Sequence, residues 1–215
     1  MSVLHFRENL LSYADVSIRA MLHSWRQIMV VSIPATATQL IGPISTAIIV
    51  SLLADFSQET VAGFGIASRI EAMFVIPLFA LSASIGPFVG QNWGAERHDR
   101  ANHAMLLSYK YSLVWGFFMA LLLFVFSQEI PALFDANPEV IKTASLYLAI
   151  VPISYGAWGV LMMSSAIFNS LGKPISSTIM SIIRMFVVYV PLAFLGKSLF
   201  GVTGIFIAAA LANTS

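Results

Sequence analysis

An all-α membrane protein, a six-transmembrane-helix bundle, is the fold class predicted by three features of the sequence. Hydrophobic residues make up 58% of the 215 and charged residues 10%, where soluble domains carry about 25% charged residues. The mean hydropathy is correspondingly high, at +0.85. Six apolar segments, at roughly 28–53, 61–90, 104–127, 143–168, 174–196 and a shorter, truncated 199–213, approach the ~20 residues that cross the hydrocarbon core. No alternating ten-residue pattern suggests a barrel, and a helix satisfies its own backbone polar groups in lipid.

Each element has its own signal. Residues 1–25 lack the basic leader and unbroken apolar core of a signal peptide. Phe6, Leu10, Tyr13, Ile18, Met21, Leu22 and Trp25 recur at helical spacing, with Arg7, Glu8, Asp15 and Arg19 elsewhere on the wheel. They predict an amphipathic helix on the membrane surface, or a connector between two membrane halves, ahead of a membrane lobe over 26–215. In the first span Ser32, Thr36, Gln39 and Thr46 share a stripe beside Pro34 and Pro43. The second aligns Ser68, Glu71, Ser82 and Gly86 beside Pro77 and Pro87, then stops in Gly90-Gln91-Asn92-Trp93-Gly94. Asn137-Pro138-Glu139 reads as a capped helix start, and Leu171-Gly172-Lys173-Pro174 as a stop and restart. Between them the fourth span aligns Ser154, Trp158, Ser165 and Asn169; the fifth aligns Ser177, Ser181, Arg184 and Pro191.

Charge placement sets the expected orientation. Arg7, Arg19, Arg26, Arg97, Arg100, Lys110 and Lys173 fall on one side, and Asp55, Glu59, Glu129, Asp135 and Glu139 on the other with Lys142 and Lys197. The positive-inside rule puts the N-terminus and the 91–103 loop in the cytoplasm, in a multi-pass protein of the cell (inner) membrane. The net charge of +1 names no partner, nucleic acid included, and the absence of Cys rules out disulfides and thiolate metal sites.

Glu71 and Arg184 are the informative polar residues. Each lies some 15–16 Å into its span, near the membrane midplane, where an ionised group costs from about 2.5 kcal/mol upward without a partner or water. Two readings stand: a hydrated cavity in which Glu71 takes a proton or attracts a cation, or a buried Glu71–Arg184 pair that fixes helix register. Tyr155, Trp158, Met162, Met163 and Phe168 form either a soft wall for varied apolar ligands or ordinary packing. The Ser, Thr and Gly residues of the stripes suit close helix packing equally well. His98 and His103 make no metal motif, no Gly-rich phosphate loop with its Lys is present, and no His lies within a span to serve a nucleophilic Ser, so the sequence reads as no enzyme and needs no cofactor.

Ala67-Ser-Arg-Ile-Glu71, Ile76-Pro77 and Val89-Gly-Gln-Asn-Trp-Gly-Ala95, with Arg97 and Arg100 after them, resemble the eighth helix and following loop of multidrug and toxic compound extrusion (MATE) transporters. Phe134-Asp-Ala-Asn-Pro-Glu-Val-Ile141 with Tyr147-Leu148 is similar to the entry to the family's tenth helix, and Asn169-Ser-Leu-Gly-Lys-Pro174 to the turn that follows it. The resemblance implies the second six-helix lobe of a twelve-helix antiporter that exports drugs or organic cations against H⁺ or Na⁺, completed by another six-helix lobe. The polar stripes, span depth and soft side chains together give an expected substrate or ion pathway through Glu71, Gln39, Arg184, Trp158, Asn169, Tyr155 and Met162, and the resemblance gives Gly90, Gln91, Asn92 and Gly94 the role of a cytoplasmic gating turn. Half of a related lipid-linked saccharide flippase, or a non-transporting membrane subunit, are the alternatives.

Overall fold

A computed structural model of the chain describes residues 17–214, with several side chains between 19 and 39 left out. Most of the expected amphipathic lead, and the side chain of Gln39, lie outside the described residues. The chain divides into two units, residues 1–40 and 41–215. In the first, helix α1 (Ile18–Ala54) has begun by Ile18, and Ile18, Leu22, Trp25 and Ile28 present apolar surface.

The second unit takes the rest of α1 together with α2 (Gln58–Gly94), α3 (His98–Val125), the short α4 (Glu129–Ala132), α5 (Pro138–Ile150), α6 (Tyr155–Ser170), α7 (Pro174–Ile182) and α8 (Val190–Ala212). A 3₁₀ turn, Val151–Ser154, joins α5 to α6, and a π-helical segment, Ile183–Tyr189, joins α7 to α8. No strand is present among the described residues. Among the described residues four helical segments are long and apolar enough to cross a membrane, 58–94, 98–125, 138–170 and 174–212, the last interrupted at Gly201.

Local chemistry explains the starts and bends. Ser57 caps α2, its Oγ accepting from the Thr60 amide at 3.1 Å, and Asn137 caps α5, its Oδ1 accepting from the Glu139 amide at 3.0 Å. Each side chain satisfies a donor that the first helical turn leaves free. Pro152 tightens the middle of the fourth span into the 3₁₀ turn, and Ser154 Oγ donates to the Val151 carbonyl at 2.7 Å. In α2, Pro77 supplies no amide to the preceding turn, and the indole Nε1 of Trp115 on α3 donates to the nearby Phe74 carbonyl at 3.0 Å.

The last two expected spans form one helical element whose chain reverses. Gly201 has φ 60° and ψ −135° inside α8. A Cβ built on Gly204 would fall 2.0 Å from the Gly196 carbonyl oxygen, although eight residues of straight helix would separate the two by about 12 Å. Arms 190–200 and 202–212 therefore lie against each other, glycine on glycine. The reversal comes three to four residues after the boundary expected at Lys197-Ser198, because Gly201 alone adopts the positive φ that the turn requires.

Small residues also set the spacing elsewhere. Gly116 on α3 lies so near Gly156 on α6 that a Cβ would meet its amide nitrogen at 2.2 Å, and a Cβ on Gly86 would meet the Ala166 carbonyl oxygen at 3.1 Å. Ser82 Oγ donates to the Met162 carbonyl at 3.4 Å. Close packing, and not a pathway, accounts for Ser82 and Gly86. One apolar core gathers Ile49, Leu53, Ile70, Leu123, Leu148 and Phe206; a second holds Leu78, Ile85, Val89, Met163 and Ile167.

The expected turn at Gly90–Gly94 is helical in the structure, since α2 runs on through Gly94. Reversal happens at 95–97: the Arg97 amide reaches the Asn92 carbonyl at 2.9 Å and the Glu96 amide the Trp93 carbonyl at 3.0 Å. That pair of bonds is a Schellman ending, whose left-handed residue is usually glycine; here it is Glu96, at φ 59°. The same ending closes α6, with Lys173 bonded to Phe168 and Gly172 to Asn169, and there glycine occupies the left-handed position at φ 72°. Glu96→Gly is expected to stabilise the fold by about 0.5–1 kcal/mol, the relief of left-handed strain less the added freedom of the unfolded chain. A higher unfolding midpoint in detergent checks it; a lower one would show that the carboxylate does more than occupy the turn.

Candidate functional site

Glu71 stands in the α2 helix about 20 Å from its start at Gln58. Tyr147 of α5 donates its phenolic hydrogen to Glu71 Oε2. The Tyr147 ring is fixed edge-on between Phe64 of α2, centroids 5.6 Å apart, and Phe206 of α8, 5.1 Å apart. Three helices thus aim one hydroxyl at one carboxylate. The other oxygen, Oε1, has no hydrogen-bond partner among the described residues, and Glu71 lines a cavity of about 340 Å³.

That cavity is walled by α1, α2, α5, α6, the π-helical segment and the last arm of α8. Ser45 and Thr46 face it from α1, Ser68 and Glu71 from α2, Trp158 from α6, Arg184 and Tyr189 from the π-helical segment, and Asn213 from beyond α8. Arg184 Nη1 donates to Asn213 Oδ1 at 2.7 Å, Asn213 Nδ2 donates to Ser154 Oγ at 3.0 Å, and Ser154 passes its own hydrogen to the Val151 carbonyl. The guanidinium is held by this neutral relay. No ion pair between Glu71 and Arg184 is formed among the described residues, where the two salt bridges are Lys142–Glu139 and Lys197–Asp55. The expected alternative of a buried Glu71–Arg184 pair therefore gives way to two separately anchored charges facing one space. Such charges can each bind a ligand group, whereas a closed pair would spend both on each other.

The remaining expected pathway residues divide. Trp158 lines the cavity, in edge contact with Phe79 at 6.2 Å and tilted against Tyr155 at 6.3 Å. Tyr155 is buried, and its hydroxyl finds no partner among the described residues. Met162 packs against the second core cluster, away from the cavity. Asn169 is exposed at the end of α6 and serves the turn through its carbonyl. Of the four expected gating residues, Gly90 faces Ser170, 3.3 Å from an added Cβ, and Asn92 Nδ2 donates back to the Phe88 carbonyl at 2.7 Å. Gln91 is exposed, and Gly94 has open space around it. Among the described residues no group of three His, Asp or Glu could hold a metal ion.

Comparison with known proteins places this arrangement. The MatE family model matches residues 3–195. The chain belongs to the MATE family. It is 33% identical over 211 residues to the FAD transporter of Shewanella oneidensis, covering 98% of this chain and 47% of that protein. It is 24% identical over 184 residues to the probable multidrug resistance protein YoeA of Bacillus subtilis, covering 84% of this chain and 40% of the relative. The crystal structure of the Vibrio cholerae MATE transporter VcmN in its bent form superposes with a TM-score of 0.84 at 30% identity, over 98% of this chain and 48% of that one. This MATE chain thus spans about half the length of the relatives it matches. The MATE family comprises membrane transporters, not enzymes.

Sequence reasoning overlooked three participants of the MATE chain's cavity. Tyr147 was noted for its family motif and not as the partner of Glu71, 76 residues away. Asn213 sits beyond the last apolar residue, and Tyr189 looks like any interfacial aromatic. A Tyr in the family motif at the depth of Glu71 was the one available signal.

Proposed function

We propose that this chain is the second six-helix lobe of a twelve-helix secondary antiporter in the cell membrane, with the turn between α2 and α3 cytoplasmic, and that it exports amphipathic organic compounds against H⁺ or Na⁺. The observation that carries the reading is Glu71: a carboxylate deep in a span, with one oxygen pinned by Tyr147 and the other without a hydrogen-bond partner among the described residues, on the wall of a cavity. A carboxylate so placed can exchange a proton or a monovalent cation with the cavity, and charge there is costly enough that its occupancy affects the rest of the lobe. The cavity's aromatic wall of Phe64, Trp158 and Tyr189 suits flat or cationic substrates. A second lobe, from the same protein or another half, supplies the facing wall.

The test is uptake of a fluorescent cationic dye into everted membrane vesicles of cells expressing the protein, where the exporting face is inside, with the native size read by an antibody to residues 96–103. Accumulation that collapses with a protonophore or on Na⁺ removal supports the proposal and names the ion. Unchanged dye retention with and without the protein sinks it. A second reading has a specific observation behind it: Arg184 puts a guanidinium on the cavity wall, as an anionic flavin dinucleotide would require, and the relative at 33% identity is named an FAD transporter. Accumulation of FAD instead of dye in the same vesicles would select it.

A further inference from the structure

A second opening of about 710 Å³ lies away from the Glu71 cavity, between α2 and α3. Its walls are Pro77, Leu81 and Phe88 from α2 and Leu107 and Tyr111 from α3. From Pro77 to Phe88 it runs 11 residues, or about 17 Å, close to half of the ~30 Å hydrocarbon core. The groove is therefore one leaflet deep.

Its α3 wall carries Ala104, Leu107, Ser108 and Tyr111, and Arg100 precedes them on the same helical stripe, four residues before Ala104 and seven before Leu107. The guanidinium of Arg100 sits 5.4 Å from the centroid of the Phe88 ring, which itself lines the groove. Arg100 is exposed and makes no ion pair among the described residues. Asp99, one residue earlier, is turned about 100° around the helix from it. The result is a leaflet-long apolar slot with one unpaired cation parked over its mouth.

The geometry points to a binding site for an anionic phospholipid, one acyl chain lying in the α2–α3 groove and its phosphate on Arg100. Apolar walls accept the chain of any phospholipid, whereas the cation at the mouth selects by headgroup, as basic pockets between transmembrane helices do. Phe88 serves both parts: its edge meets the chain and its face holds the guanidinium in place.

Native mass spectrometry of the purified full-length protein, titrated with phosphatidylglycerol or phosphatidylcholine of identical acyl chains, tests the site. Wild-type protein is expected to retain phosphatidylglycerol preferentially, and Arg100→Gln to lower that retention about fivefold, the share of one basic residue at an anionic surface, while phosphatidylcholine is unaffected. Leu107→Trp, which fills the groove, is expected to displace both lipids. Lys142→Gln, at the opposite end of the bundle, should change neither. Equal retention of the two lipids by wild type, or phosphatidylglycerol binding indifferent to Arg100→Gln, overturns the proposal. So does a protein dimer that Leu107→Trp dissociates, which would assign the groove to a second copy.

Discussion

Glu71→Gln is expected to abolish gradient-driven efflux while leaving the protein folded. Glutamine keeps the carboxylate's shape and still presents an oxygen to the Tyr147 hydroxyl, so the bond that ties α2 to α5 survives. What is lost is the negative charge on the cavity wall. An amide does not titrate, so proton uptake at this position is lost outright; if the coupling ion is a cation, losing a contact to a charged group, about 1.5–3 kcal/mol, should weaken its binding by about tenfold to a hundredfold. The variant should also lose the dependence of efflux on external pH or Na⁺ that the wild type shows. Tyr147→Phe is the companion change: it retains the charge, removes its anchor, and is expected to slow efflux less while preserving the ion dependence. A Glu71→Gln protein that exports at wild-type rate with wild-type ion dependence would reduce Glu71 to a packing residue.

The second large effect is on stability. Gly204→Ala puts a methyl where the backbone of Gly196 already stands, 2.0 Å from its carbonyl oxygen. Backbone cannot swing aside as a flexible side chain does, so the two arms of α8 must separate, at a cost of about 3 kcal/mol. Gly65→Ala is the matched control, since a methyl there meets nothing within 4 Å. Thermal unfolding followed by fluorescence-detected gel filtration should show a marked loss for the first and a small change for the second. Equal midpoints would mean that the hairpin opens readily and that the glycine contact is incidental.

Much of this architecture was legible before any coordinates. Helices, spans and most boundaries follow from hydropathy and from capping residues such as Asn137, because these are local properties of a few neighbouring residues. Glu71 and Arg184 announced themselves by depth alone. Their partners did not: Tyr147 reaches Glu71 across 76 residues and Asn213 reaches Arg184 across 29, and helical periodicity says which face a residue occupies without saying which helix lies opposite. The π-helical segment at 183–189 was equally hidden, as a 3.6-residue pattern has no signature for a wider turn. At Glu96 and Gly201 the polarity of neighbouring residues suggested one turn position while backbone handedness chose another.

The folded-back end of the chain has a mechanical side. Its two legs are fastened at the tip by Gly196 against Gly204, and at the base by Arg184 bonded to Asn213. Beside the tip, Lys197 pairs with Asp55, and the Phe56 ring lies against Gly201. Legs joined at both ends tilt together, as one stiff lever whose far end, about 18 Å from Gly201 along the last arm, is the cavity wall itself. The short loop between α1 and α2 thus rests on the tip of the hairpin whose base holds Arg184.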